Sequence, residues 1–279
     1  MTAPRLLAGR YRLERRLGRG GMGTVYVALD TSLDRRVAAK LVREDLVGLP
    51  GAAERFQREA RAAAAFSHPN VVTVHDFGVA GAHAFLVMEL LEGRTLRETL
   101  RAEKRIECER ALAIVGDVAS ASEAAHRRRL VHRDLKPENI FIQGAWGSTI
   151  CAKVLDFGIA KFLAPHEGES LAAHATGGLL LGTPLYMAPE QLRGEDPDPS
   201  WDLWALAVIA FEMLSGSHPF ASGTDAFGAG MRASAADARF ENLPSGCRPF
   251  FARALAIDRT ARPASAAMFL AEFERSLHA

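Results

Sequence analysis

The sequence predicts an α+β chain of two lobes: a small lobe built on a five-stranded antiparallel sheet with one helix, then a large, mainly helical lobe. Three observations lead there. Residues 11–91 alternate apolar and polar positions in short runs broken by glycine and proline, with a single helical stripe between them. After Leu91 the apolar period becomes helical almost to the end of the chain. A length of 279 residues also exceeds what one simple core needs. The expected division is an extension over 1–10, a small lobe over 11–91 and a large lobe over 92–279.

Taken in order, Tyr11, Leu13 and Leu17 lead into a glycine cluster. Val25 and Val27 then alternate, and "RRVAAKLV" follows the "DTSLD" turn, which makes three consecutive antiparallel strands. From Ala52 to Phe66 the period changes: Phe56, Ala60, Ala63 and Phe66 form one stripe with Glu59 on its flank. "HPNVVTVHDFGV", announced by Pro69, and "HAFLVMEL" read as two further strands around an "AGA" turn. Helices are expected over "TLRETLRAE", from Glu109 to Arg129, from Leu203 to Leu214 and in several short pieces to the end. Short strands interrupt them at Ile140 to Ile142 and Cys151 to Leu155. The stretch from Lys161 to Leu181 has no periodicity and is too long for a mere connection, so it reads as disordered or as a functional loop.

Composition excludes several classes. Lys and Arg number 34 against 33 Asp and Glu, so no global field draws the chain to nucleic acid or to an anionic membrane, and any polyanion site must be local. Cys108, Cys151 and Cys247 stand far apart with no CxxC spacing, which argues against a disulfide framework and a zinc site. The N-terminus has no apolar core long enough for a signal peptide. The longest apolar run, "LWALAVIAF", is half a membrane span and reads as a buried helix. The expectation is a soluble, cytoplasmic chain with no membrane segment and no nucleic-acid partner.

Three stretches carry chemistry. "LGRGGMGTVYV" places Gly18, Gly20 and Gly23 at GxGxxG spacing, but a strand follows rather than a helix, so the glycines form the tip of a hairpin. Such a tip can close over phosphates because backbone amides approach without side-chain obstruction; it is equally an ordinary glycine-rich turn. Lys40 lies in the apolar run "VAAK", where an unpaired ammonium is costly and needs an anion. Glu59 on the following helix is the available carboxylate, unless the lysine stem packs and its head reaches water. "HRDLKPENI", from 132 to 140, gathers two cations, two acids, a histidine and an asparagine around Pro137, which keeps them out of a helix interior. By default such a cluster is a solvated surface.

The ordered series GxGxxGxV, VAAK with a helix glutamate, HRDLKPEN, "DFG" from Asp156 and "APE" ending at Glu190 resembles the protein kinases. "GRYRLERRLGRGGMGTVYVA" is similar to the bacterial eukaryotic-type (Hanks-type) serine/threonine kinases. The resemblance covers nearly the entire chain and implies a bilobal protein kinase fold, with ATP and Mg2+, or Mn2+ in its place, as cofactors. It implies that Asp134 orients a substrate hydroxyl and takes its proton, that Lys136 neutralises the migrating phosphoryl, and that Asn139 and Asp156 bind the metal. Lys40, steadied by Glu59, would grip the α- and β-phosphates, and Gly18 to Gly23 would cover them. Leu17, Val25, Ala38 and Phe141 would enclose the base, Met88 would be the gatekeeper, and the backbone of Glu89 and Leu91 would bond the adenine. Val74, Ala63, Phe157 and His132 match a packing spine, Glu190 would pair with Arg262, and Asp202 would brace the loop at 132–139.

Lys136 with Thr183 in "GTPLYMAPE" resembles the serine/threonine class, which implies protein substrates bearing Ser or Thr. Arg133 before Asp134 implies an activation-loop phosphate, with Thr176 the first candidate and Ser170 the second. The same relatives imply a homodimer for activation. Ala63 departs from the pattern, since relatives usually carry a larger apolar residue there, and Ala207 departs from "WALG". A catalytically weak, pseudokinase-like scaffold and a small-molecule phosphotransferase are the competing readings. The intact catalytic positions stand against the first and the "GTPLYMAPE" segment against the second.

Overall fold

The computed structural model describes residues 6–21, 23–47, 51–80, 83–144, 150–157, 184–220 and 242–279. They divide into two compact units: the residues up to Glu92 together with Asp156 and Phe157, and the remainder from Gly93 onward.

The first unit is a six-stranded antiparallel sheet in the order β1-β2-β3-β4-β6-β5. Its strands are β1 (Leu6–Leu7), β2 (Tyr11–Gly20), β3 (Gly23–Asp30), β4 (Arg35–Val42), β5 (Val74–Ala80) and β6 (His83–Met88). Five match the sequence expectation. The sixth, β1, is two residues long and too short to show a period. Between β4 and β5 lie a one-turn helix α1 (Glu44–Val47) and the expected helix α2 (Ala52–Ala64), whose buried positions Ala52, Phe56 and Ala60 fall four apart on one stripe.

Register sorts the side chains into two faces, because successive residues of a strand point to opposite sides. Val25 lies opposite Lys40, Lys40 opposite Leu86, and Ala38 opposite both Val27 and Met88, so these six share one face. The other face carries a core of Leu7, Tyr11, Ala28, Val37, Ala39, Leu41, Phe85 and Val87. Tyr11 on β2 donates its hydroxyl hydrogen to Asp76 on β5 at 2.5 Å, although β3, β4 and β6 separate those strands in the order. The sheet therefore curls around this core. Asp76 and burial together push the Tyr11 phenol well above its ordinary value, burial being the larger cause. Arg10, held by two bonds to Asp30 at 2.7 and 2.8 Å, adds an ion pair to Asp76 at 3.7 Å across the closure.

The second unit opens on β7 (Arg94–Thr95) and α3 (Leu96–Glu103). Thr95 caps α3 reciprocally with Glu98, and this draws the Glu98 carboxyl below the usual range. Next comes α4 (Cys108–His126), followed by a 3-10 turn at Pro137–Asn139 and the strands β8 (Ile140–Gln143) and β9 (Cys151–Val154), paired in the order β7-β8-β9. The helices α5 (Pro189–Leu192), α6 (Ser200–Ser215), α7 (Cys247–Ala254) and α8 (Ala266–Leu277) complete it. Helix α6 is buried at every position but Ser200 and Glu212, as a helix apolar on all sides must be. It ends at Gly216, whose φ of 75° and whose neighbour, the Lys104 carbonyl, 3.0 Å from any Cβ, leave room for glycine alone. Phe211, Phe250, Phe251, Phe269 and Phe273 meet edge-on and tilted to fill the space between α6, α7 and α8. Among the described residues no helix is long and apolar enough to cross a membrane.

Candidate active site

In the second unit, the loop from His132 to Asn139 hangs on one buried carboxylate. Asp202, in the first turn of α6 and 1% exposed, accepts the backbone N–H of His132 at 2.9 Å and of Arg133 at 3.0 Å. It also meets His126 Nε2 at 2.8 Å. Gln191 Nε2 donates to the Arg133 carbonyl at 2.8 Å, fixing Arg133 in the left-handed region at φ 68°. His132 is fully buried and its roles are set by its partners. Nδ1 accepts the Asp134 N–H at 3.3 Å, so Nε2 carries the proton and donates to the Leu155 carbonyl at 2.8 Å. It packs and pins, as expected.

On this frame the three polar side chains converge. Lys136 Nζ lies 2.8 and 2.6 Å from the two Asp134 carboxylate oxygens. Asn139 Nδ2 donates to the Asp134 carbonyl at 2.7 Å and to its carboxylate at 3.2 Å. Pro137 opens the 3-10 turn, where its missing N–H costs nothing, and the turn closes through Asn139 N–H to the Lys136 carbonyl at 2.8 Å. With its amide nitrogen committed to Asp134, Asn139 has a carboxamide oxygen as the group to offer a hard cation.

Around the loop, Glu190 and Arg262 form the expected pair through bonds of 2.6 and 2.9 Å, both side chains 1% exposed. Burial pushes the Glu190 carboxyl up, but the hydrogen bonds and charge of Arg262 outweigh it and hold the group below the usual range. Arg97 was not legible from sequence, since "TLRETL" looks like any surface helix. It joins Glu138 at 2.8 Å, Glu212 at 2.7 Å and the Tyr186 hydroxyl, and so ties α3 to the loop, to α6 and to the "PLYMAPE" segment. Burial and then Glu212 push the Tyr186 phenol far above its ordinary value, so it stays a donor.

In the first unit, Lys40 Nζ is paired with Asp156 Oδ2 at 2.6 Å, the lysine side chain 7% exposed. This differs from the sequence expectation, which gave the ammonium to Glu59. Glu59, 11% exposed on α2, instead ion-pairs with its neighbour Arg58 at 3.5 Å. The reason is local: a buried ammonium takes the carboxylate that reaches it, and Asp156, at φ 59°, brings its own into contact. Val25, Ala38 and Met88 share the face of Lys40. The Glu89 N–H is taken by the Thr73 carbonyl at 3.0 Å, and Glu89 Oε1 accepts the Thr73 N–H at 2.7 Å. Leu91 follows, half-buried, while Phe141 lies half-buried on β8 of the second unit.

The glycines divide by role. Gly18 and Gly20 have open space where a side chain would stand. A Cβ on Gly23 would lie 2.0 Å from the Leu41 carbonyl, so the third glycine serves the close approach of β3 to β4. Leu17, beside them, is 44% exposed. Thr176, Ser170, Thr183 and Gly158 lie outside the described residues.

The sequence profile of the family described as protein kinase domain matches residues 11–273. Over 216 residues, 77% of this chain, it is 44% identical to the serine/threonine-protein kinase pkn2 of Myxococcus xanthus, of which it covers 25%. It is 40% identical over 220 residues, again 77% of this chain, to the serine/threonine-protein kinase PknA of Mycobacterium tuberculosis, of which it covers 49%. It thus spans between a quarter and about half the length of these curated relatives. The crystal structure of the M. tuberculosis PknI kinase domain superposes with a TM-score of 0.77 at 25% identity, covering 100% of both chains. Matched from its second strand into its last helix, with the loop at 132–139 built as described, this chain belongs to the protein kinase domain family.

Proposed function

We propose that this chain transfers the γ-phosphoryl group of ATP to serine or threonine hydroxyls of proteins, including those of its own activation loop. One observation carries the reading: Asp134 is held by Lys136 and Asn139 within 2.6–3.2 Å on a loop whose backbone is fixed from α6. Phosphoryl transfer needs a hydroxyl aligned with the γ-phosphate and charge to stabilise the transition state, and little covalent work from the protein.

In this reading Asp134 orients the acceptor hydroxyl and takes its proton, and Lys136 turns its ammonium to the migrating phosphoryl. Lys40 holds the α- and β-phosphates, Gly18 and Gly20 present backbone amides to them, and Val25, Ala38 and Met88 pack against the base. The donor set of Asp156 and Asn139 consists of hard oxygens, which suits Mg2+. Asp156 and Asn139 would hold that ion, which would supply charge to offset that of the transferring phosphates.

Incubation with labelled ATP and Mg2+, beside an Asp156→Asn control, followed by mapping of the labelled residues, tests the proposal. Incorporation into Ser or Thr by the parent chain alone, with Thr176 among the sites, is the expected result. Nucleotide binding without transfer to this chain or to added protein would leave a scaffold in place of an enzyme.

A further inference from the structure

The glycine hairpin that joins β2 to β3 raises a physical question, because little of its own fixes its tip. The strand ladder ends where Gly20 faces Gly23, so Gly21 lies beyond it in the turn. Gly18 and Gly20 have no side chain to pack and meet nothing within 4 Å of where one would start. An anchor comes from the far end of β4. Arg43, the residue after Val42, donates from Nη1 to the Gly21 carbonyl at 3.3 Å across 22 positions. Its other edge is occupied: Nε and Nη2 grip the two Asp45 carboxylate oxygens at 2.9 and 2.5 Å. A planar fork held by a carboxylate on one edge presents its remaining nitrogen in a fixed direction. Asp45 lies in α1, and the neighbouring Glu44 carboxylate meets His83 Nδ1 on β6 at 3.3 Å, which ties α1 to the sheet.

We propose that Arg43 is a positioning residue for the hairpin: held by Asp45, it fixes the Gly21 carbonyl and thereby the height of the tip over the nucleotide phosphates. The proposal rests on the reading of the hairpin as the cover of those phosphates. Lys40 and Val42 share one face of β4, the face given to the nucleotide, so by alternation Arg43 approaches the tip from the opposite side. It is a brace behind the cover rather than a phosphate ligand. A peptide unit is planar, so holding its carbonyl also sets the plane of the tip peptide, and with it the direction in which the hairpin offers its amides. Both side chains of the brace are open to water, 41% exposed for Arg43 and 53% for Asp45, so each bond is modest. A modest bond is enough to bias a turn flanked by glycines with open space around them, and weak enough for the tip to lift when nucleotide leaves.

The test compares Arg43→Ala, Arg43→Lys and Asp45→Ala with the parent chain; both positions are exposed, so each variant is expected to fold. Two quantities are read: the backbone order parameter of Gly21 by NMR relaxation in nucleotide-free protein, and the ratio of ADP to adenosine affinity with Mg2+ by isothermal titration calorimetry. Adenosine has no phosphate for the hairpin to cover, so it reports any general damage to the base site. Arg43→Ala is expected to lower the Gly21 order parameter and to cut the ADP-to-adenosine ratio about two- to tenfold, with adenosine affinity unchanged. Asp45→Ala shifts both the same way by less. Arg43→Lys, which keeps the charge but loses the fork, falls between the parent and Arg43→Ala. A folded Arg43→Ala protein with the parental ratio overturns the proposal. So does a reduced ratio with a parental Gly21 order parameter, which would make Arg43 a direct phosphate contact. If the order parameter falls as expected but the parent chain itself binds ADP no tighter than adenosine, the phosphate-covering reading fails and the bracing of the tip by Arg43 stands.

Discussion

Asp134 and Asp156, the two acids to which the proposed reaction gives the acceptor hydroxyl and the metal, are held in opposite ways. Asp134 sits in a polar cage: its loop is tied by hydrogen bonds to Asp202 and Gln191, and its own groups to Lys136 and Asn139. Among the described residues Asp156 is ion-paired to Lys40, and its neighbour Phe157 makes an aromatic contact. The cage uses directional bonds, and its partners Asp202, Gln191 and Asn139 are buried, so losing one of these leaves an unsatisfied group at a cost of about 1–3 kcal/mol. Apolar packing is non-directional and degrades by degrees. The catalytic loop should therefore fail abruptly and the Asp156 segment gradually.

Substitutions can break or sharpen that contrast. The largest effect is expected at Asp134→Asn, which keeps the shape but removes the proton acceptor: transfer should fall roughly 10²–10⁴-fold with little change in melting temperature. A fall below tenfold would assign the proton transfer elsewhere. Arg262→Ala should lower unfolding free energy by about 3–5 kcal/mol, since it strands the buried Glu190 carboxylate, as read from a denaturant titration. Asp202→Ala should cost about 2–5 kcal/mol by orphaning the His132 and Arg133 amides, with loss of activity in step. Intact activity there would show that the loop holds its shape without α6. Lys40→Met should change stability by about 1 kcal/mol or less, because Asp156 is partly open to solvent, while raising the KM for ATP.

The smallest effect concerns pH. Burial, opposed in part by the charge of Glu212, holds the His218 imidazole below its ordinary value, and its partners fit the neutral ring: Nδ1 accepts the Phe220 N–H and Nε2 donates to the Leu185 carbonyl. With the folded value lowered, the unfolded chain takes up the proton first. Stability is then full above about pH 6.5 and declines as pH falls through that value. The difference in denaturant midpoint between about pH 7.5 and about pH 5.5 should shrink in His218→Gln.

What the sequence disclosed follows from range. Helix α4 was expected from Glu109 to Arg129 and runs Cys108–His126, because its apolar period is continuous and local. The loop at 132–139 was legible because all its chemistry lies within eight consecutive residues. The partner of Lys40 was not: Asp156 lies 116 positions away, and residue type alone cannot rank two carboxylates against one ammonium. Arg97 escaped for the same reason, since its partners Tyr186 and Glu212 lie 89 and 115 positions on. That a Cβ on Gly23 would meet the Leu41 carbonyl of the neighbouring strand was also beyond reach of the GxGxxG spacing, which says nothing of what a glycine packs against.

The bond from Tyr11 to Asp76 also bears on biosynthesis. Its two ends are separated by 65 positions, so the phenol emerges from the ribosome long before its acceptor exists. At about 5–20 residues per second the nascent segment waits roughly 3–13 s with its apolar flank uncovered. For that interval the phenol of the first strands has no acceptor of its own, and the arrival of β5 lets the curled sheet shut.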